Sequence, residues 1–160
     1  MGFGHVDDLA GQLLLRVRNR AQIVILCGRN KTLLRELRER FVSDRNVACL
    51  PFTEKVAQYM DACDVLFTKP GGLTTSEAAA KNLLLIHTAP IPGCETKNAE
   101  FFSSRGMSAL GATVAQEAAL AVELMENPEK RQTMLRAQQK YFHTDAAQKI
   151  CNLLQSKVKA

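Results

Sequence analysis

No run of eighteen apolar residues occurs in the sequence, so nothing in it reads as a membrane span. Its opening, "MGFGHVDDLAG", carries acids and lacks the basic block followed by an apolar one that marks a secretory signal. The five cysteines (Cys27, Cys49, Cys63, Cys94, Cys151) are an odd number without a CxxC pair, which argues against a disulfide framework. Cys27 and Cys49 lie in apolar runs, where a free cysteine acts as a small hydrophobe. That usage fits a reducing, cytoplasmic setting. His5, His87 and His143 share no spacing with one another or with the cysteines, so no metal site is expected. GxSxG and P-loop motifs are both missing. The basic residues are not interleaved with aromatics, which argues against nucleic acid as a partner.

What is present fits one soluble globular domain over residues 1–160. The 160 residues are 46% hydrophobic, enough for a full core. Twenty-one Lys and Arg against 16 Asp and Glu leave a formal charge of +5. That balance suits an anionic ligand or an acidic lipid surface, and equally a plain basic surface.

Along the chain, strand-like and helix-like segments alternate. "HVDDLAGQLLLRVRNR" places Val6, Leu9, Leu13 and Val17 on one helical stripe. "QIVILC" (22–27) reads as a buried strand, and "NKTLLRELRERF" as a helix capped by Asn30. Strands are expected at 46–52, 64–69 and 83–89, with helices at 54–63, over "SEAAAKN" and over "ETKNAEFFSSRG" up to Gly106. From Ala115 to the end the chain reads as three helices, broken at Pro128. Apolar, non-alternating strands at βαβ spacing indicate α/β architecture, a Rossmann-like parallel sheet with helices on both faces. The chain opens on a glycine-bearing turn and a helix with no strand in front of them, so the first strand of such a sheet is expected to be missing.

Doubly wound sheets bind ligands where strands lead into helices. Two such loops carry glycines: "MGFGH", with Gly2 and Gly4, and "KPGGLTTSE" after "DVLFT". Glycine lets the backbone approach a ligand, and the helix start behind it offers free N–H groups and a positive dipole end. Lysines and hydroxyls nearby suit phosphate oxygens. Thr74 and Glu77 form T-x-x-E before a helix, the pattern of a capping box. A carboxylate at a strand's end can instead bridge the two hydroxyls of a ribose. The two readings are compatible.

"CGRNKTLLRELRERF" and "PFTEKVAQYMDACDVLFTKPGGLTTSEAAAKNLLLIHTAPIPGCETKNAEFF" resemble the C-terminal domain of family 28 glycosyltransferases, and within it the diacylglycerol glycosyltransferases. The resemblance runs from about Gly2 to Phe102. It implies the donor-binding half of a two-domain GT-B enzyme, with the N-terminal acceptor domain absent. Phe52 and the backbone of Thr53 would line the uracil, and Glu77 would accept the ribose hydroxyls. Gly71, Gly72, Thr74 and Gly4 would follow the diphosphate. Glu95 and Asn98 would face the donor sugar. The implied reaction transfers a hexose from a UDP-sugar, the donor substrate, to a diacylglycerol-type lipid. Helix-end N–H groups and hydroxyls, rather than a metal, would stabilise the leaving group, and no separate cofactor is implied. The general base would lie on the N-terminal domain. The positive balance fits a peripheral enzyme at an anionic membrane surface.

Five positions depart from the family pattern. Cys94 stands where glutamine is usual, Asn82 and Leu84 where glycine and proline are usual, His5 for a proline and Pro51 for a glycine. Two further functions stay open at this point. One is a soluble donor-binding subunit of a two-subunit UDP-GlcNAc transferase, the other a non-catalytic nucleotide-binding module.

Overall fold

The computed structural model describes residues 5–142 and 145–158. Helix and strand alternate as α1 (Val6–Val17), β1 (Ile23–Leu26), α2 (Lys31–Arg40), β2 (Val47–Leu50), α3 (Val56–Ala62), β3 (Val65–Thr68) and α4 (Gly72–Ala80). The chain continues through β4 (Leu84–His87), α5 (Cys94–Ser104), β5 (Ala109–Leu110), α6 (Val114–Glu126), α7 (Pro128–Tyr141) and α8 (Ala146–Val158). The strands are parallel, with Ile23 opposite Val47, Val65 opposite Leu84 and Ile86 opposite Ala109. Strand β5 spans two residues and is too short to show in the periodicity of "MSALGATV".

Apolar strands between amphipathic helices produce the expected α/β architecture. The hydrogen-bonded strands form two ladders, β1–β2 and β3–β4–β5. Ile23 and Cys27 donate their N–H groups to Asn46 and Leu50 on the β2 side. The alternation of a strand then turns the amides of Val24 and Leu26 to the opposite edge, which no described strand pairs. Their side chains are also exposed.

Three apolar clusters hold the layers together. On one face of β4, Leu84 and Ile86 pack with Leu9 and Leu13 of α1 and with Ala118, Ala121 and Leu124 of α6. On the other, Leu85 packs with Met60, Ala78, Ala79, Phe102 and Met107. All four residues of β4 are therefore buried. Ala10 of α1 joins Ile25, Cys27, Leu37, Phe41 and Cys49 in the third cluster, over β1 and β2. Helix α1 thus covers both ladders.

Local chemistry sets the helix ends. The Asn30 side chain accepts from Leu33 N–H at 3.0 Å, which makes it the N-cap expected for α2. Helix α4 ends in a Schellman motif, with Leu83 N–H on Ala78 O at 3.0 Å and Asn82 N–H on Ala79 O at 3.1 Å. Asn82 holds φ at 56° there. Asparagine tolerates the left-handed region better than most residues, so it closes this turn without a glycine.

Gln138 of α7 is fully buried and donates from Nε2 to Leu83 O at 2.8 Å and to Met107 O at 2.9 Å. These bonds tie α7 to the chain entering β4 and β5. Gln138→Leu leaves two buried carbonyls without a donor and should cost about 2 kcal/mol or more. Urea unfolding should register this as a lower midpoint at unchanged slope.

Candidate functional site

Strand β3 ends at Thr68, and the chain turns through Lys69, the buried Pro70 and Gly71 into α4. Gly71 N–H donates to Lys69 O at 2.7 Å, and Thr75 N–H reaches Gly71 O at 3.2 Å as the first bond of the helix. Gly71 is the N-cap residue, in extended conformation, and no side chain caps the helix. The capping box expected of Thr74 and Glu77 is therefore not formed. Proline and glycine end the turn early, so α4 starts at Gly72 and Thr74 already lies within its first turn. A cap needs a residue outside the helix. Among the described residues nothing accepts from the N–H groups of Gly72, Leu73 or Thr74. A Cβ at Gly71 would meet no atom within 4 Å. These N–H groups, together with the dipole of α4, form a ready anion seat.

Helix α5 braces this turn from the side. Glu95 Oε1 accepts from Lys69 Nζ at 2.7 Å, and Glu95 Oε2 accepts from Ile91 N–H at 2.9 Å. The Lys69 hydrogen bond, and after it the Ile91 amide, holds the Glu95 carboxyl below its usual range. Asn98 sits three residues on, on the same helix face, and donates from Nδ2 to Pro70 O at 3.0 Å. That nitrogen lies 4.0 Å from where a Cβ on Gly72 would be. Hydrogen bonds thus tie Glu95 to Lys69 and Asn98 to Pro70, the two residues that lead into Gly71 and Gly72. Cys94 is exposed at the first turn of α5.

Glu77 is exposed on α4, and its side chain makes no hydrogen bond or ion pair with the described residues. Thr74 is half-buried. Phe52 and Thr53 lie at the end of β2 and touch none of the α4–α5 network through a hydrogen bond or ring contact. The Phe52 ring is 53% exposed and carries the Arg29 guanidinium 5.0 Å from its centroid. Thr53 Oγ1 accepts from Lys55 N–H at 3.1 Å. Gly4, with Gly2, lies outside the described residues. Two shallow grooves occur elsewhere, one along α6 beside Leu110 and Glu123, the other between α1 and α2 beside Gln12 and Arg40. Neither touches a residue named for the site.

Sequence reasoning missed the support beneath the turn. His87, the last residue of β4, is fully buried. Its Nε2 lies 3.4 Å from Thr75 Oγ1 on α4, and its Nδ1 lies 3.2 Å from Ser108 Oγ beside β5. Phe102 meets the ring edge-on. Burial pushes the imidazole down to about 4, so it is neutral at pH 7. The one available signal was a histidine closing an otherwise apolar run. Lys69, Arg29, Thr75 and Ser108 carried no signal beyond proximity to the glycine loops, because their partners are far apart in sequence.

A family model described as the glycosyltransferase family 28 C-terminal domain matches residues 5–150. The chain belongs to this family. Relatives are named processive diacylglycerol beta-glucosyltransferase. The protein of that name from Staphylococcus carnosus (strain TM300) is 41% identical over 106 residues, covering 66% of this chain and 27% of its own length. The one from Staphylococcus aureus (strain Newman) is 30% identical over 145 residues, covering 91% of this chain and 37% of its own. The chain therefore spans between a quarter and two-fifths of these relatives. A crystal structure of Acinetobacter baumannii MurG matches with TM-score 0.74 at 18% identity, over 94% of this chain and 45% of that one. The pneumococcal O-GlcNAc transferase GtfA, solved with UDP and GlcNAc, matches with TM-score 0.65 at 18% identity, over 98% of this chain and 34% of that one. Both show the shared fold of this family 28 domain. Among the described residues no helix is long and apolar enough to cross a membrane.

The buried histidine sets a pH dependence for the domain. Its folded-state value of about 4 lies below the ordinary 6.5, so the unfolded chain takes up the proton first as pH falls. The stability it contributes is complete above about pH 6.5 and is lost between there and pH 4, about 3 kcal/mol in all. Urea titrations at pH 7 and pH 4.5 should show the loss, and His87→Gln should remove this component of the slope.

Proposed function

We propose that the chain binds a UDP-sugar and forms the donor half of a hexosyltransferase acting on a diacylglycerol-type lipid. The observation that carries this reading is the uncapped start of α4, where three N–H groups beside two glycines have no acceptor among the described residues. An anion of high charge density, such as a diphosphate, is the ligand such a seat accepts. Membership of family 28 and the names of the relatives supply the chemistry around it.

In this reading the diphosphate lies along Gly71, Gly72 and Thr74, with Gly4 contributing from the other glycine loop. Glu77 is exposed and unpaired among the described residues, and it accepts the two ribose hydroxyls. Phe52 and the Thr53 backbone take the uracil, and Glu95 and Asn98 face the hexose. A lipid hydroxyl attacks the anomeric carbon, the bond from that carbon to the β-phosphate oxygen breaks, and UDP leaves. The α4 N–H groups stabilise the charge that gathers on the departing phosphate. The base that takes the hydroxyl proton lies on a further domain. The net charge of +5 suits approach to an anionic lipid surface.

Calorimetric titration with UDP and with ADP tests the reading. UDP should bind selectively, and Glu77→Ala and Glu77→Gln should each weaken it about tenfold, the loss of a charge-assisted hydrogen bond to the ribose. Equal binding of UDP and ADP would remove the uracil assignment. UDP affinity untouched by both substitutions would remove Glu77 from the site.

A further inference from the structure

We propose that Lys69 is the counter-ion that lets a carboxylate, Glu95, sit beside an anionic donor, so that the two residues act as one neutral sugar-reading unit. The inference rests on the reading of this site as one for a UDP-sugar. Glu95 lies on the α5 face that braces the start of α4, one turn before Asn98, whose Nδ2 approaches Gly72. A carboxylate placed there alone would repel the diphosphate on the neighbouring N–H groups. The Lys69 ammonium lies on that carboxylate at 2.7 Å, and the Ile91 amide fixes its second oxygen. Each carboxylate oxygen keeps a further lone pair after accepting these bonds, so Glu95 can still accept sugar hydroxyls. The Glu95 side chain is only 14% exposed against 42% for Lys69, so the carboxylate is held in a wall while the ammonium reaches toward solvent. Lys69 is thus a specificity-determining residue acting through Glu95, and its sequence position next to Pro70 places its charge at the mouth of the α4 turn.

A double-mutant cycle on the full chain separates this from direct phosphate binding. UDP-glucose and UDP are titrated by calorimetry and uridine by saturation-transfer NMR, for wild type, Lys69→Met, Glu95→Gln and the double variant. Lys69→Met should weaken UDP-glucose about tenfold, the scale of a like-charge contact largely screened by water, and leave neutral uridine unaffected. Adding Glu95→Gln should recover most of that loss, because the stranded charge is gone. Lys69→Arg should bind as wild type, which guards against a folding defect being read as a binding one. A double variant no better than Lys69→Met overturns the proposal and makes Lys69 a phosphate ligand in its own right. A wild-type chain that binds neither UDP nor uridine overturns the UDP-sugar reading itself, and the proposal with it.

Discussion

Apolar packing under α1 is the constraint on which the rest of the structure depends. Hydrogen bonding does not run continuously across the strands, since the β1–β2 and β3–β4–β5 ladders share no backbone bond. Helix α1 places Leu9 and Leu13 in the cluster over β4 and Ala10 in the cluster over β1 and β2. Ile23 packs against both clusters. Burial of these side chains, each contributing on the order of 1–3 kcal/mol, must join what the ladder does not. The same helix begins at Val6, directly after the first glycine loop, so packing and the proposed ligand loop share one element.

The second glycine loop is held by polar contacts instead. Asn98 and Glu95 of α5 fasten Pro70 and Lys69, while Thr75, one turn into α4, lies over the buried His87. A helix start left without a cap loses about 1 kcal/mol relative to a capped one. Here the surrounding contacts fix the turn without a side-chain cap, and the leading N–H groups stay open toward solvent. Such preorganised donors are what a departing phosphate requires.

The two kinds of restraint divide the work of the site. Core packing fixes where α1 and β4 stand, and it accommodates Leu84 and Asn82. Leu84 enters the α1–α6 cluster, and Asn82 takes the left-handed turn. Polar contacts fix where the loop atoms stand, to within the reach of single hydrogen bonds. They leave less latitude, which makes Cys94, in the first turn of α5 beside Glu95, the departure from pattern closest to the proposed sugar contacts.

The sequence by itself determined the alternation of strand and helix, the parallel order, the Asn30 cap and the position of the glycine turn. Each of these rests on local periodicity or on the dihedral preferences of Gly, Pro and Asn, which neighbouring residues settle among themselves. The stretch with TKPGG, T-x-x-E and PIPG with NAE carried the resemblance to the family. Tertiary structure alone decided that T-x-x-E would not cap α4 and that Lys69 would meet Glu95. It also decided that His87 would bridge Thr75 and Ser108. Those contacts join residues 12 to 26 positions apart on separate elements. No period in the chain encodes such pairs, because they arise only when folded helices and strands bring their side chains to one edge.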